Sequence, residues 1–275
     1  MLNSIPRFRF KDLIYLFLKF RNQNIEFIND KKFIYGYLSF SSWSLALIIF
    51  FRLKCCNYNK KINILIPKYF CENALRFVKK IPNIQLIQYE IQNDFVPNYE
   101  EILEKICNNT IDIFINVNYF SLNYYQNHKI DNICKSKNIW TVSDCTHSFD
   151  IKSNILKSAD FIMFSPYKHI SIPNGAILII SKSNKSFNEL KINQYHNPNQ
   201  WNKICFELSK KLKIKLNSNN EYLIKWLTKR LFNFFNIYKT VSAVEAESKL
   251  ANLEYNSPSI SFLSKQIILK EYLNY

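Results

Sequence analysis

From Ile62 onward, short apolar runs alternate with longer segments of helical periodicity, and this alternation constrains the fold more than any other feature of the chain. "INILI" (62–66), "IQLIQY" (84–89), "DIFINVN" (112–118), "IWTVS" (139–143), "DFIMFS" (160–165) and "GAILII" (175–180) read as strands. Between them, "ENALRFVKK" (72–80), "NYEEILEKI" (98–106) and "KIDNICKSK" (129–137) carry helical spacing; in the second, Ile102, Leu103 and Ile106 share one face. Apolar strands alternating with amphipathic helices predict an α/β fold, with a mostly parallel sheet sandwiched by helices. Ligands of such sheets bind outside the carboxyl ends of the strands. Asp144 follows one predicted strand directly and Ser165 ends the next, so both fall where a site belongs.

The flanks are read by length and charge. "WSLALIIFF" (43–51) is far below spanning length and predicts a buried helix. The basic start has only a short apolar run, Leu13 to Leu18, with no small-residue cleavage site, which makes a poor signal peptide. "YHNPNQWN" (195–202) reads as a loop. "EYLIKWLTKRLFNFFNIYK" (221–239) reads as an amphipathic helix that packs on the sheet domain or a second subunit, a membrane surface being the weaker alternative. A last helix is expected in "SPSISFLSKQIILKEYL", with a serine at its start. The net charge of +16 is spread along the chain without a zinc-finger spacing or an RNP signature. Nucleic acid is therefore not expected as a partner, whereas anionic substrates or cofactors suit the charge. Seven cysteines without a CxxC pair fit free thiols in a reducing cytoplasm, and neither a disulfide framework nor a metal site is expected.

"SDCTHSFD" (143–150) and "FIMFSPYKHISIPNGAI" (161–177) put an acid after one strand and a lysine after the next. Pyridoxal 5'-phosphate chemistry needs such a pair. Its aldehyde condenses with a lysine amine, and a carboxylate keeps the pyridine nitrogen protonated so that the ring can accept electrons. Lys168 and Asp144 supply those two functions. A phosphate arm further needs donors at a helix start, where free N–H groups and the helix dipole favour an anion. "SFSSWSLAL" (39–47) offers this, with Ser42 and Ser44 as candidates. The same hydroxyls could simply cap the helix, and in either case a helix starts here.

Together these residues resemble the DegT/DnrJ/StrS family of sugar aminotransferases, within fold type I of the pyridoxal phosphate enzymes. "SDCTHSF" matches the family pattern with Asp144 and His147, and "FSPYKHISIPNGAIL" matches a subgroup with the serine three residues before the lysine. "ILIPKYFCENAL" and "INVNYFSLNYYQNHKIDNICKSKNIWTVSD" resemble the family's upstream segments, so the resemblance covers roughly residues 35 to 182. It implies that Lys168 binds the cofactor and is catalytic, that Asp144 pairs with the pyridine nitrogen, that His147 lies near the ring or its phenolic oxygen, and that Ser165 contacts the phosphate or the lysine loop. The blander readings of His147 and Ser165 are a half-buried structural imidazole and an ordinary strand-end hydroxyl.

The function this implies is transfer of an amino group from an amino acid, commonly glutamate in the family, to a nucleotide-linked keto-sugar. Such products feed surface polysaccharide or lipopolysaccharide assembly. The family places its site between two subunits, which implies a homodimer. On the same basis residues 1–34 form an N-terminal arm, 35–240 the large cofactor-binding domain, and 241–275 the start of an incomplete C-terminal domain. Two other classes compete. One is a different fold-type I enzyme: a lyase, a desulfurase for which Cys205 is the sole candidate thiol, or a dehydratase, disfavoured because Lys168 rather than His169 holds the aligned position. The other is a degenerate or truncated accessory protein of glycan assembly, suggested by Ser143, Ser121 and Asn174 standing where the family has an acid and glycines.

Overall fold

The computed structural model describes residues 32–56, 58, 60–121, 128–148, 159–182, 197–218, 221, 223, 224, 226–228 and 257–273. Their strands form one seven-stranded sheet in the order β1-β7-β6-β5-β4-β2-β3. The strands are β1 (Phe33–Leu38), β2 (Ile62–Pro67), β3 (Ile84–Tyr89), β4 (Ile113–Val117), β5 (Trp140–Asp144), β6 (Phe161–Phe164) and β7 (Ala176–Ser181). The helices are α1 (Ser41–Cys55), α2 (Tyr99–Asn108), α3 (His128–Ser136), α4 (Pro198–Lys211) and α5 (Phe262–Leu273). Strands β2 to β6 pair in parallel, as the alternation predicts. β7 runs antiparallel to β6 and to β1, because the link between β6 and β7 is too short for a crossover helix. β1 is therefore parallel to β6, and its carboxyl end opens on the same edge as those of β4, β5 and β6.

Period-two alternation assigns each strand residue to a face. Ile113, Ile115 and Val117, with Ala176, Leu178 and Ile180, join one core around α1 and α4. Phe114 and Leu65 face α2 and α3. Ile177 and Ile179 face α5 through Ile267 and Ile268. Helix α1 is buried all round from Ser42 to Leu53, as its uninterrupted apolar sequence demands. No helix of the described residues is long and apolar enough to cross a membrane.

Both glycines have packing reasons. A Cβ on Gly36 would meet the Trp201 ring at 2.6 Å, so only glycine lets α4 lie against β1. Gly175 holds a φ of +153°, and a Cβ there would meet Ile268 at 3.0 Å.

Two local expectations are corrected. Residues 72–80 form successive turns closing on a 3-10 turn at Val78–Lys80, in place of a regular helix. Leu75, Phe77 and Val78 all bury there, and Phe77 stacks on Trp43 at 3.9 Å. The "NPNQW" segment begins α4 instead of a loop: the Asn197 side chain accepts from the Asn199 amide at 3.0 Å, and Pro198 takes the first helical position. The serine start of the last helix is present, with Ser261 Oγ accepting from the Ser264 amide at 3.2 Å. Of the amphipathic segment 221–239, only 221, 223, 224 and 226–228 lie within the described residues.

Candidate functional site

Asp144 is the last residue of β5, paired with Val117 on one side and Met163 on the other. By strand parity its side chain shares the face of Trp140 and Val142, which is the α1 face. The carboxylate is buried, and Oδ1 accepts from the Thr146 amide at 2.9 Å. That local bond closes the turn that carries His147. The imidazole then stacks on Phe120, with ring centres 5.1 Å apart, and lies 6.3 Å from the Tyr119 ring.

Lys168 reaches the same place from the neighbouring strand. β6 ends at Phe164, Ser165 follows fully buried, and a 3-10 turn over Pro166–Lys168 closes with the Lys168 amide donating to the Ser165 carbonyl at 3.0 Å. The loop continues to Asn174, whose Oδ1 accepts from the Ser261 amide and from Ser264 Oγ, each at 3.0 Å. The lysine loop is thus clamped to α5 across about ninety residues of sequence.

The electrostatics tie these groups into one cluster. His147 is lowered to about 4, first by burial and then by the Lys168 ammonium, against the pull of Asp144. His169 is also lowered, chiefly by burial. The Tyr119 phenol is raised by burial and by the Asp144 charge. An acid, an amine, an imidazole and a phenol therefore sense one another at a single sheet edge, with the imidazole neutral above about pH 4.

The start of α1 opens on this edge, and the Phe40 ring meets the Tyr167 ring of the lysine loop at 5.3 Å. Phe40 is the N-cap residue and makes no side-chain cap bond. Ser42 and Ser44 lie inside the first turns of the helix, so the reading in which they cap it is corrected: a cap side chain must come from the flanking extended residue. The helix does start where expected. Ser42 Oγ accepts from Arg76 Nε at 3.2 Å. Ser44 Oγ and Ser165 Oγ are buried without a hydrogen-bond partner, as are His147 Nδ1 and Asn118 Oδ1.

The structure thus brings Asp144, His147, Ser165 and Lys168 together, with Ser42 and Ser44 at the adjoining helix start. Sequence reasoning missed Arg76 and the shelf of rings Tyr69, Phe95, Tyr119 and Phe120 beside His147. Phe95 and Phe120 hold φ near +60°, a conformation that side chains of this bulk rarely adopt. The adjacent "YF" after β4 was the one local signal for the shelf.

No model of a known protein family matches the sequence, and no curated protein does. Solved structures match by fold. A Streptococcus pneumoniae protein described as a sugar aminotransferase, in its apo form, is 15% identical with a TM-score of 0.50, over 69% of this chain and 56% of that one. A Bacillus subtilis ureidoglycine-glyoxylate aminotransferase is 14% identical with a TM-score of 0.45, over 66% and 48%. A DegT DnrJ EryC1 StrS aminotransferase from Brucella abortus is 12% identical with a TM-score of 0.43, over 59% and 45%. The match spans about half the length of these structures. The likeness to the S. pneumoniae protein is one of fold: an α/β chain with the sheet of fold type I.

Proposed function

We propose that this chain is a pyridoxal 5'-phosphate-dependent aminotransferase of the DegT/DnrJ/StrS kind, moving an amino group from an amino acid, glutamate by the resemblance, to a nucleotide-linked keto-sugar. The observation that carries the reading is the meeting of Asp144 and Lys168 around one neutral imidazole, on the sheet face where α1 begins. The cofactor fits the polar groups present. Buried hydroxyls at Ser44 and Ser165 lack partners, as a site built for an absent acceptor-rich group would have them. The fold shared with the S. pneumoniae protein supports the reading as well.

In this proposal Asp144 would hold a proton on the pyridine nitrogen and His147 would border the cofactor site. Ser42, Ser44 and Ser165 take the phosphate. When bound, the cofactor supplies an electron sink for a carbanion at the substrate carbon. The Lys168 amine would hold the cofactor and would serve as general base and acid toward the substrate carbon. His147, neutral at physiological pH, adds no positive charge beside Lys168. The buried Tyr119 would form an apolar wall beside His147 on that side of the site. A homodimeric, cytoplasmic enzyme serving polysaccharide or lipopolysaccharide assembly belongs to the same proposal, and so does a large domain spanning residues 35–240.

The test is the visible absorbance of the purified chain with added pyridoxal 5'-phosphate, beside Lys168→Ala. A band that needs Lys168 and bleaches with glutamate is expected. Absence of any band from folded protein would sink the enzyme reading in favour of an accessory role, and bleaching by other amino acids alone would move the amino donor.

A further inference from the structure

We infer that the edge at which the parallel strands begin, opposite the candidate site, is a basic face that docks on an anionic lipid surface. Charge that is spread along the sequence is gathered there by the fold. Helices α1, α2 and α3 each run back to this edge before the next parallel strand starts. Their last turns carry Lys54, Lys105 and Lys135, and that of α4 carries Lys210 and Lys211. Lys60 and Lys61 lead into β2 at the same edge, and Lys213 follows α4.

Contacts join these helix ends into one surface. The Tyr58 ring, just past α1, has Lys54 Nζ 4.9 Å and Lys211 Nζ 5.5 Å from its centre, so the carboxyl ends of α1 and α4 meet over one phenol. Arg52 of α1 donates to the Asn138 carbonyl after α3, and Lys137 Nζ donates to the Ile106 carbonyl of α2, each at 3.0 Å. Carboxylates do not offset this charge on the outside. Asp112 is buried, and Asp160 is half-buried and accepts from the Thr141 amide at 2.8 Å. Glu104 and Glu207 are the exposed acids in the carboxyl halves of α1 to α4. Lys60 is taken by Asp112 and Lys105 by Glu101, whereas Lys54, Lys61, Lys210, Lys211 and Lys213 form no ion pair among the described residues. A lysine at a helix end suits the dipole, but that reason acts on one helix at a time and does not gather several such ends around one exposed ring.

The chemistry selects the occupant. The exposed cations are lysines, point charges without the planar fork that reads a single phosphate or a base, and the arginine of this edge, Arg52, is buried against Asp112. Ammonium groups spread over several helix ends match a layer of headgroups, to which each contributes. Tyr58, 37% exposed among them, supplies an aromatic ring of the kind that seats at headgroup level. Docked this way, the chain keeps the edge of Asp144 and Lys168 turned to solvent. The inference does not depend on the cofactor reading.

The test is sedimentation of the full chain with phosphatidylcholine vesicles, with and without phosphatidylglycerol, at low and high salt, beside two double variants. Wild type should sediment only with the anionic vesicles and be released by salt. Lys54→Gln/Lys211→Gln should weaken this binding about twentyfold, at about fivefold per lysine. Lys68→Gln/Lys79→Gln removes the same charge from lysines already paired with Glu90 and Glu72, and should change it by less than about twofold. A chain that adheres through net charge alone loses equally in both variants, and that result overturns the inference. So does a wild type that fails to sediment with anionic vesicles at low salt. Tighter binding to a nucleic-acid duplex than to the vesicles at one ionic strength overturns it as well and assigns the face to nucleic acid. Should the first variant not fold, Lys210→Gln/Lys213→Gln, two exposed positions, decides by the same comparison. A Lys168-dependent visible band without vesicle binding sinks the docking face and leaves the enzyme reading standing; vesicle binding that needs Lys54 and Lys211, without a band, does the reverse.

Discussion

Two buried aspartates stand at opposite ends of the sheet, and their surroundings differ in kind. Asp112, just before β4, accepts from Lys60 Nζ at 2.7 Å and from the Asn63 amide at 3.0 Å, and pairs with Arg52 Nη2 at 3.5 Å. Arg52 in turn donates to the Asn138 carbonyl and lies 5.0 Å from the Trp140 ring centre. One carboxylate thereby joins α1, β2, β4 and the turn before β5. Asp144, at the carboxyl end of β5, accepts from the Thr146 amide in its own turn and is otherwise surrounded by Tyr119 and His147. A carboxylate whose acceptor capacity is filled by the chain acts as a staple. One kept buried with capacity to spare is what the proposed function requires of a residue that holds a ligand.

The sharpest break of this comparison is functional and falls at the carboxyl edge. Lys168→Ala is expected to abolish the visible band and lower turnover by at least about 10²-fold, while urea denaturation shows stability within about 1 kcal/mol of wild type. Next is the staple. Asp112→Ala leaves the Arg52 guanidinium buried beside Trp140 and should cost about 3–5 kcal/mol, whereas Asp144→Asn should change stability by about 1 kcal/mol or less. Urea midpoints of the two variants check this, and equal losses would erase the distinction between the two ends.

A smaller effect follows from the histidines. Folding lowers His147 from 6.5 to about 4 and lowers His169 as well, so below about pH 6.5 the unfolded chain binds more protons than the folded one. Stability contributed by the neutral rings is present above pH 6.5 and is lost as pH falls toward 4. For His147, with part of its ring in water, the loss is on the order of 1 kcal/mol. A pH series of melting temperatures should flatten in His147→Gln across this window. The smallest effect contrasts two removals. Ser44→Ala discards a buried hydroxyl without a partner and should leave the unliganded chain equal or more stable, by up to about 1 kcal/mol. Lys60→Ala discards an ion pair that is half in water and should cost up to about 1 kcal/mol. Calorimetry of both variants without ligand separates them by sign.

The sequence was most legible where a single segment decides its own structure. Alternating apolar runs announced the strands β2 to β7, the buried stretch from Trp43 to Phe51 announced α1, and a serine before the last apolar run announced α5. The acid and the lysine could be placed at strand ends because a strand end is a local event. The run at 72–80 misled for the opposite reason: its helical spacing was real, but the segment takes turns in which Phe77 stacks on Trp43, a partner far away in the chain.

Local pattern and residue chemistry, which act over a few residues, determined by themselves the α/β class, the mostly parallel sheet and the positions of Asp144, Ser165 and Lys168 at or just past the ends of their strands. Only the tertiary structure decided what depends on partners far apart in the chain. It paired β1 antiparallel to β7, clamped Asn174 to Ser261 and Ser264, and bonded Arg76 to Ser42, thirty-four residues away. It also gave one buried aspartate three positive or amide donors and left the other nearly bare. Long-range packing sets those contacts, and no period in the sequence encodes them.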